Sequence, residues 1–120
     1  MTQEEKDLLL KDLCGRLPYG VKVSTPDDVS RTITRMNIDR CLIEVGNYID
    51  DVYVLSDIKP YLFPLSSMTE EQLLELSSIS FENSIDSSIK TLNWCYKNHL
   101  DINNLIPMGL ANDATGLNIY

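Results

Sequence analysis

Apolar residues recur at helical spacing near the start of the chain, where Leu9, Leu10, Leu13, Cys14 and Leu17 form one stripe. Thr2 followed three positions later by Glu5 has the spacing of a capping box. The pattern predicts a helix over 2–15, ended by Gly15 and Pro18. The period then changes to two. Val21 and Val23 alternate with Lys22 and Ser24, and Pro26-Asp27-Asp28 signals a turn. Over 29–36, alternation sends Val29, Arg31, Ile33 and Arg35 to one face, and Ser30, Thr32, Thr34 and Met36 to the other. Cys41 to Val45 is a third strand, broken at Gly46-Asn47. Tyr48-Ile49 and Val52 to Leu55 give a fourth, with Asp50-Asp51 between. Pro60 and Pro64 around Tyr61, Leu62 and Phe63 make 58–68 an edge strand or an extended connector, because proline cannot donate to a ladder.

Helical spacing returns at 69–78, capped by Thr69 with Gln72. It continues over 84–98, capped by Asn83 or Ser84, with Ile85, Ile89, Leu92 and Tyr96 near one face and Trp94 and Cys95 widening it. A short helical turn at 101–106 would stop at Pro107. The expected architecture is one α+β domain over 1–120: a helix within 1–18, a β-rich stretch 19–63, helices within 69–106 and a polar tail 112–120. Its small antiparallel sheet would have four or five strands, either curled or closing into a barrel, with the C-terminal helices packed on one side. The expected core is Leu9, Leu13, Val21, Val23, Ile33, Leu42, Val45, Leu62, Leu73, Ile85, Ile89, Leu92 and Ile106.

At 120 residues the chain has the size of one domain, large enough to fold without a metal or disulfide. It carries 10 basic and 18 acidic residues, net −8. Residues 1–59 hold 8 basic and 11 acidic groups, net −3, and residues 60–120 hold 2 and 7, net −5. A phosphate backbone would be repelled by the second half, which argues against nucleic-acid binding unless it is confined to the N-terminal half. Cys14, Cys41 and Cys95 are odd in number, widely spaced and set among apolar residues. They read as buried free thiols of a reducing compartment, and with one histidine they make no zinc pattern. The polar N-terminus and the lack of a long apolar run point to a cytoplasmic protein with no membrane partner.

Three blocks carry a resemblance. They are Leu17-Pro18-Tyr19-Gly20-Val21, the stretch from Lys59 to Glu71, and Trp94 to Ala111, with Trp94, Asn98, His99, Asp101, Leu105, Ile106, Gly109, Leu110 and Ala111 in the third. Together they resemble a family of small uncharacterised proteins encoded by phages, prophages and mobile elements of gut bacteria. Residues 24–57 match it loosely, and Asn103-Asn104 stands where relatives often have Arg-Gly. The resemblance implies a mobile-element setting in a bacterial host cell and no particular chemistry.

Candidate chemistry is sparse. His99, the only histidine, is an acid–base candidate with Asp101 and Cys95 as companions, but its place at a helix end explains it through the helix dipole. Lys22, Arg31, Arg35 and Arg40 form the one basic cluster, able to hold a phosphate-bearing molecule or to cover a wet sheet face with their stems. Tyr61, Trp94, Tyr96 and His99 are interface candidates, the aromatics serving otherwise as core. Asp50, Asp51, Asp57 and Glu44 fit no calcium loop and read as a solvated loop; no motif calls for a cofactor. The leading expectation is a non-enzymatic binding protein that occupies a host or phage protein, for example in counter-defence or host takeover, with homodimerisation as an option. The alternatives are a module sequestering a nucleotide-like signal, a small enzyme using His99, and an acidic nucleic-acid mimic.

Overall fold

The structure, a computed structural model, describes residues 1–27, 29–46, 51–81 and 84–120. The elements run α1 (Gln3–Arg16), β1 (Lys22–Ser24), β2 (Ser30–Asn37), β3 (Leu42–Val45), β4 (Val52–Val54), β5 (Lys59–Leu62), α2 (Glu70–Ser80), α3 (Ile85–Lys97) and β6 (Asn112–Asp113). The class is α+β. Each helix starts at a reciprocal capping box, Thr2 with Glu5, Thr69 with Gln72 and Ser84 with Ser87, so two orphan N–H groups are satisfied at each start. The expected pairing of Tyr48-Ile49 and the alternative cap Asn83 lie outside the described residues.

The sheet order is β4-β3-β2-β1-β5-β6, antiparallel throughout except for the parallel β5–β6 pair. It is open, so the barrel alternative does not hold. The sixth strand comes from the segment read as a tail: Asn112 and Asp113 pair with Tyr61 and Leu62, and the Ala114 N–H donates to Leu62 O at 2.8 Å. Residues 101–106 form turns instead of a helix. The Asp101 carboxylate accepts from Leu105 N at 2.8 Å and Ile106 N at 2.9 Å, which holds this segment under the sheet without helical bonds.

Register shifts between Ile33 and Arg35, and this irregularity breaks the simple alternation of β2. Arg31 lies opposite buried Val23, on the inner face with Ile33. Arg35 lies opposite Glu44, whose neighbours Ile43 and Val45 are buried, and so sits on the outer face. Lys22 pairs with Thr32, also outward. The sheet therefore separates the cations that simple alternation would group.

Two apolar clusters form. The larger joins Leu9, Leu10 and Leu13 of α1 to Val21, Val23, Ile33, Ile43, Val45, Leu55, Ile58 and Leu62, and is closed by Leu105, Leu110 and Ala111. The smaller joins Trp94, Cys95 and Leu100 to Phe63, Met68, Leu76, Ile79 and Ile102. Thus α1 and the 105–111 segment cover the sheet, and the α2–α3 hairpin builds a core of its own beside them. That placement overturns four expected core residues: Leu73 (48% exposed), Ile85 (83%), Ile89 (54%) and Leu92 (44%) face solvent. Leu42 and Ile106 are half-buried, and Cys14 is exposed where a buried thiol was expected.

Candidate functional site

Asp12 and Arg16 stand one helical turn apart on α1, on the stripe that carries Leu9 and Leu13, and both are fully buried. Arg16 Nε donates to Asp12 Oδ1 at 2.5 Å, and Nη2 donates to Asp12 Oδ2 at 3.1 Å and to Leu100 O at 2.6 Å. Asn103 Nδ2 donates to Asp12 Oδ2 at 2.7 Å, and the guanidinium carbon lies 5.0 Å from the Tyr96 ring centroid. The ion pair thereby ties α1 to α3 and to the chain that follows it. Beside it, α1 runs through Gly15, and the Tyr96 ring occupies the space a side chain there would need.

The C-terminal end makes a second fastening. Tyr120 stacks on His99 with ring centroids 3.5 Å apart and planes 12° from parallel. The Tyr120 hydroxyl donates to Tyr61 O at 2.9 Å and accepts from Lys22 N at 2.8 Å, while Lys22 Nζ donates to Ile119 O at 2.8 Å. Burial pushes the Tyr120 hydroxyl up to about 12. Burial, with the positive charges of Arg16 and Lys22, holds His99 down at about 4 against an ordinary 6.5. His99 also adopts a left-handed backbone, φ 58°, uncommon for a residue with a Cβ.

A neutral His99 in the fold has a defined consequence. Below pH 6.5 the unfolded chain takes up a proton that the folded chain refuses until about pH 4. The stabilising contribution is complete above pH 6.5, declines as pH falls from 6.5 to 4, and is lost below that. Allowing for the ring's partial exposure, the loss is on the order of 1–2 kcal/mol. Urea unfolding of the wild type and of His99→Asn at a series of pH values isolates it, since asparagine tolerates the left-handed backbone. The difference between the two should change over this window; a difference independent of pH contradicts the assignment.

These contacts also show what is available for chemistry. The Asp101 carboxylate is occupied by two backbone N–H groups, Cys95 sits in the smaller apolar cluster with its thiol pushed up by burial, and the His99 ring lies under Tyr120. The cleft of ≈ 320 Å³ beside His99 is lined by Phe63, Ser67, Gln72, Lys97 and Tyr120 among others, with neither a thiol nor an Asp or Glu side chain. No group of three or more metal-ligating side chains occurs among the described residues.

The basic cluster does not assemble. Arg31 is engaged by Asp27 at 2.9 Å and faces Asp51 at 3.8 Å, Lys22 is tied to the C-terminal segment, and Arg35 and Arg40 are exposed on the outer face of β2 and in the following turn. Asp27 is held down at about 2, chiefly by the Thr25 hydroxyl and then by Arg31. Of the aromatic candidates, Tyr61 is half-buried, and Trp94 and Tyr96 are buried.

What remains open is the hairpin. Leu73 and Leu74 (72% exposed) and Phe81 (88%) of α2 and its end, with Ile85, Ile89 and Leu92 of α3, point to solvent. On α3, Ile85, Ile89, Leu92 and Tyr96 continue one stripe by their spacing. Its C-terminal member, Tyr96, packs on α1, and the rest extend past it. A cleft of ≈ 600 Å³ opens where the hairpin meets the end of α1, lined by Tyr19, Phe81, Trp94, Asp86, Lys90 and Lys97 among others. Asp12, Arg16, Tyr120 and the lysines of this cleft were not singled out from sequence. The Asp12–Arg16 spacing within an apolar stripe was the one signal that could have found the ion pair. No family model matches the chain, and no curated protein and no solved structure matches it significantly.

Proposed function

We propose that the chain is a non-enzymatic binding protein that acts by occupying a protein partner, with the exposed apolar side chains of the α2–α3 hairpin, above all the Ile85, Ile89 and Leu92 stripe of α3, as its contact surface. One observation carries this reading: the six exposed apolar side chains gathered on a hairpin whose own core is already closed. By their fractional exposure they present apolar area on the order of 600 Å² in total, against the ~800 Å² per partner of a standard interface. The partner's chemistry follows from charge. Glu70, Glu71 and Glu75 are exposed on α2, which has no basic residue, and the whole chain is at −8. The fitting partner is an apolar protein surface flanked by lysine or arginine, recognised through burial and steered by charge. The engagement of Asp101, Cys95 and His99 elsewhere favours occupancy over turnover. A mobile-element origin, as the resemblance implies, would make a host protein the natural target.

Affinity capture with the wild type and with Leu74→Asp/Ile89→Asp tests the surface, because both positions are exposed and the variant should fold. A partner should be retained at least tenfold better by the wild type. Once purified, it should bind directly with affinity that weakens as salt rises. Equal capture by both chains, or steady turnover of a substrate that a point change abolishes, counts against the proposal.

A further inference from the structure

We infer that the cleft between Tyr19 and the α2–α3 hairpin is a binding site for a nucleoside monophosphate. Residues 60–120 contain two basic residues, Lys90 and Lys97, and both line this one cleft. They are seven positions apart, two turns along one face of α3. The chain's single tryptophan, Trp94, lies between them in sequence, and Tyr19 and Phe81 complete an aromatic lining. Among the described residues of the lining, Asp86 is the one acidic side chain against the two lysines, in a chain at −8. Its ≈ 600 Å³ falls within the range of small-molecule sites.

Each part matches a part of the ligand. The exposed Phe81 ring takes a planar base by stacking, a contact tolerant of which base is present, while Trp94, 7% exposed, contributes to the wall of the cleft. The lysines supply charge-assisted hydrogen bonds to a phosphate. Lys90 is held by Asp86 at 3.1 Å in an exposed pair, and Lys97 has no ion-pair partner among the described residues. Lys97 is therefore free to receive the phosphate, and Asp86 competes with it for Lys90. Neither a bare phosphate nor a bare nucleoside uses the whole lining. The inference shares Phe81 with the protein-docking proposal but concerns a different ligand and different charged groups, and its variants, Lys97→Ala and Asp86→Asn, lie outside the docking residues, so either can fail alone.

Trp94 serves as reporter. Its emission, excited at the red edge of its absorption where nucleobases do not absorb, is followed while AMP, GMP, CMP and UMP are titrated in. Adenosine and inorganic phosphate run in parallel, calorimetry checks each binding isotherm, and indole-carboxylate, whose own emission overlaps that of tryptophan, is followed by calorimetry alone. The expected result is saturable quenching by at least one monophosphate, about tenfold or more tighter than by adenosine or phosphate alone. Affinity should fall with salt, fall at least fivefold in Lys97→Ala, and rise severalfold in Asp86→Asn. The opposite signs of the two variants distinguish ligand contact from a loss of folding, since both positions are exposed. The proposal is overturned by the absence of binding with all four monophosphates, by tighter binding of the aromatic carboxylate, or by equal affinity in Lys97→Ala.

Discussion

Replacing Asp12 with alanine will destabilise the fold by about 3–5 kcal/mol, read from urea unfolding at neutral pH. The substitution removes the acceptor of three hydrogen bonds, two from Arg16 and one from Asn103. It leaves a guanidinium with no exposed surface beside Leu100 O and the Tyr96 ring, with no carboxylate within ion-pair distance among the described residues. A buried cation without its anion costs far more than the pair contributes, because desolvation of the charge is no longer offset. The same argument predicts that the double change Asp12→Leu/Arg16→Met recovers most of the loss, since apolar replacements of similar volume bury no charge. A single-variant loss under 1 kcal/mol would show that water reaches this pair.

The second large effect reverses an ordinary rule. In a helix, glycine to alanine usually stabilises by up to ~1 kcal/mol. At Gly15 the new Cβ would lie 2.4 Å from Tyr96 Cε2 and 2.7 Å from Cζ, distances that real side chains do not occupy. Tyr96 is 7% exposed and held beside the Arg16 guanidinium, so its ring has little room to move. Overpacking of this kind costs about 1–3 kcal/mol, which outweighs the propensity gain. Gly15→Ala should lower the thermal midpoint, and Cys14→Ala on the exposed side of the same turn should leave it nearly unchanged. A stabilised Gly15→Ala would mean that α1 and α3 are not in close contact.

Both substitutions act where the hairpin is anchored, and this junction was largely illegible in the sequence. The three helices were readable because capping boxes and helical spacing are local signals, and β1 to β4 because alternation is local too; 58–68, read as an edge strand or a connector, instead gives β5, which pairs with β1 on one side and β6 on the other. The irregularity after Ile33 was not readable: a one-residue shift leaves composition unchanged and turns Arg35 away from Arg31. Periodicity marked Ile85, Ile89 and Leu92 as one face of a helix, but a period says nothing of what that face meets. Here α3 meets α1 at Tyr96, and the sheet is covered by α1 together with Leu105, Leu110 and Ala111. The last residues looked like a tail because no apolar period runs through them. They are ordered by hydrogen bonds to partners far away in sequence, Tyr61 and Lys22 for Tyr120, and Leu62 for Ala114. The same long-range assembly brings Tyr19 into one cleft with Trp94, which no spacing in the chain announces.

The protein-docking account depends on a hairpin that keeps Ile85, Ile89 and its other exposed apolar side chains in water when the chain is alone. Methyl spectra of the isolated protein in the presence of a soluble nitroxide measure that directly. The account predicts that the methyls of Ile85 and Ile89 broaden strongly while those of Ile33, Ile43 and Ile58 stay sharp. Protection of Ile85 and Ile89 equal to that of Ile43, in a chain that remains monomeric, would contradict it.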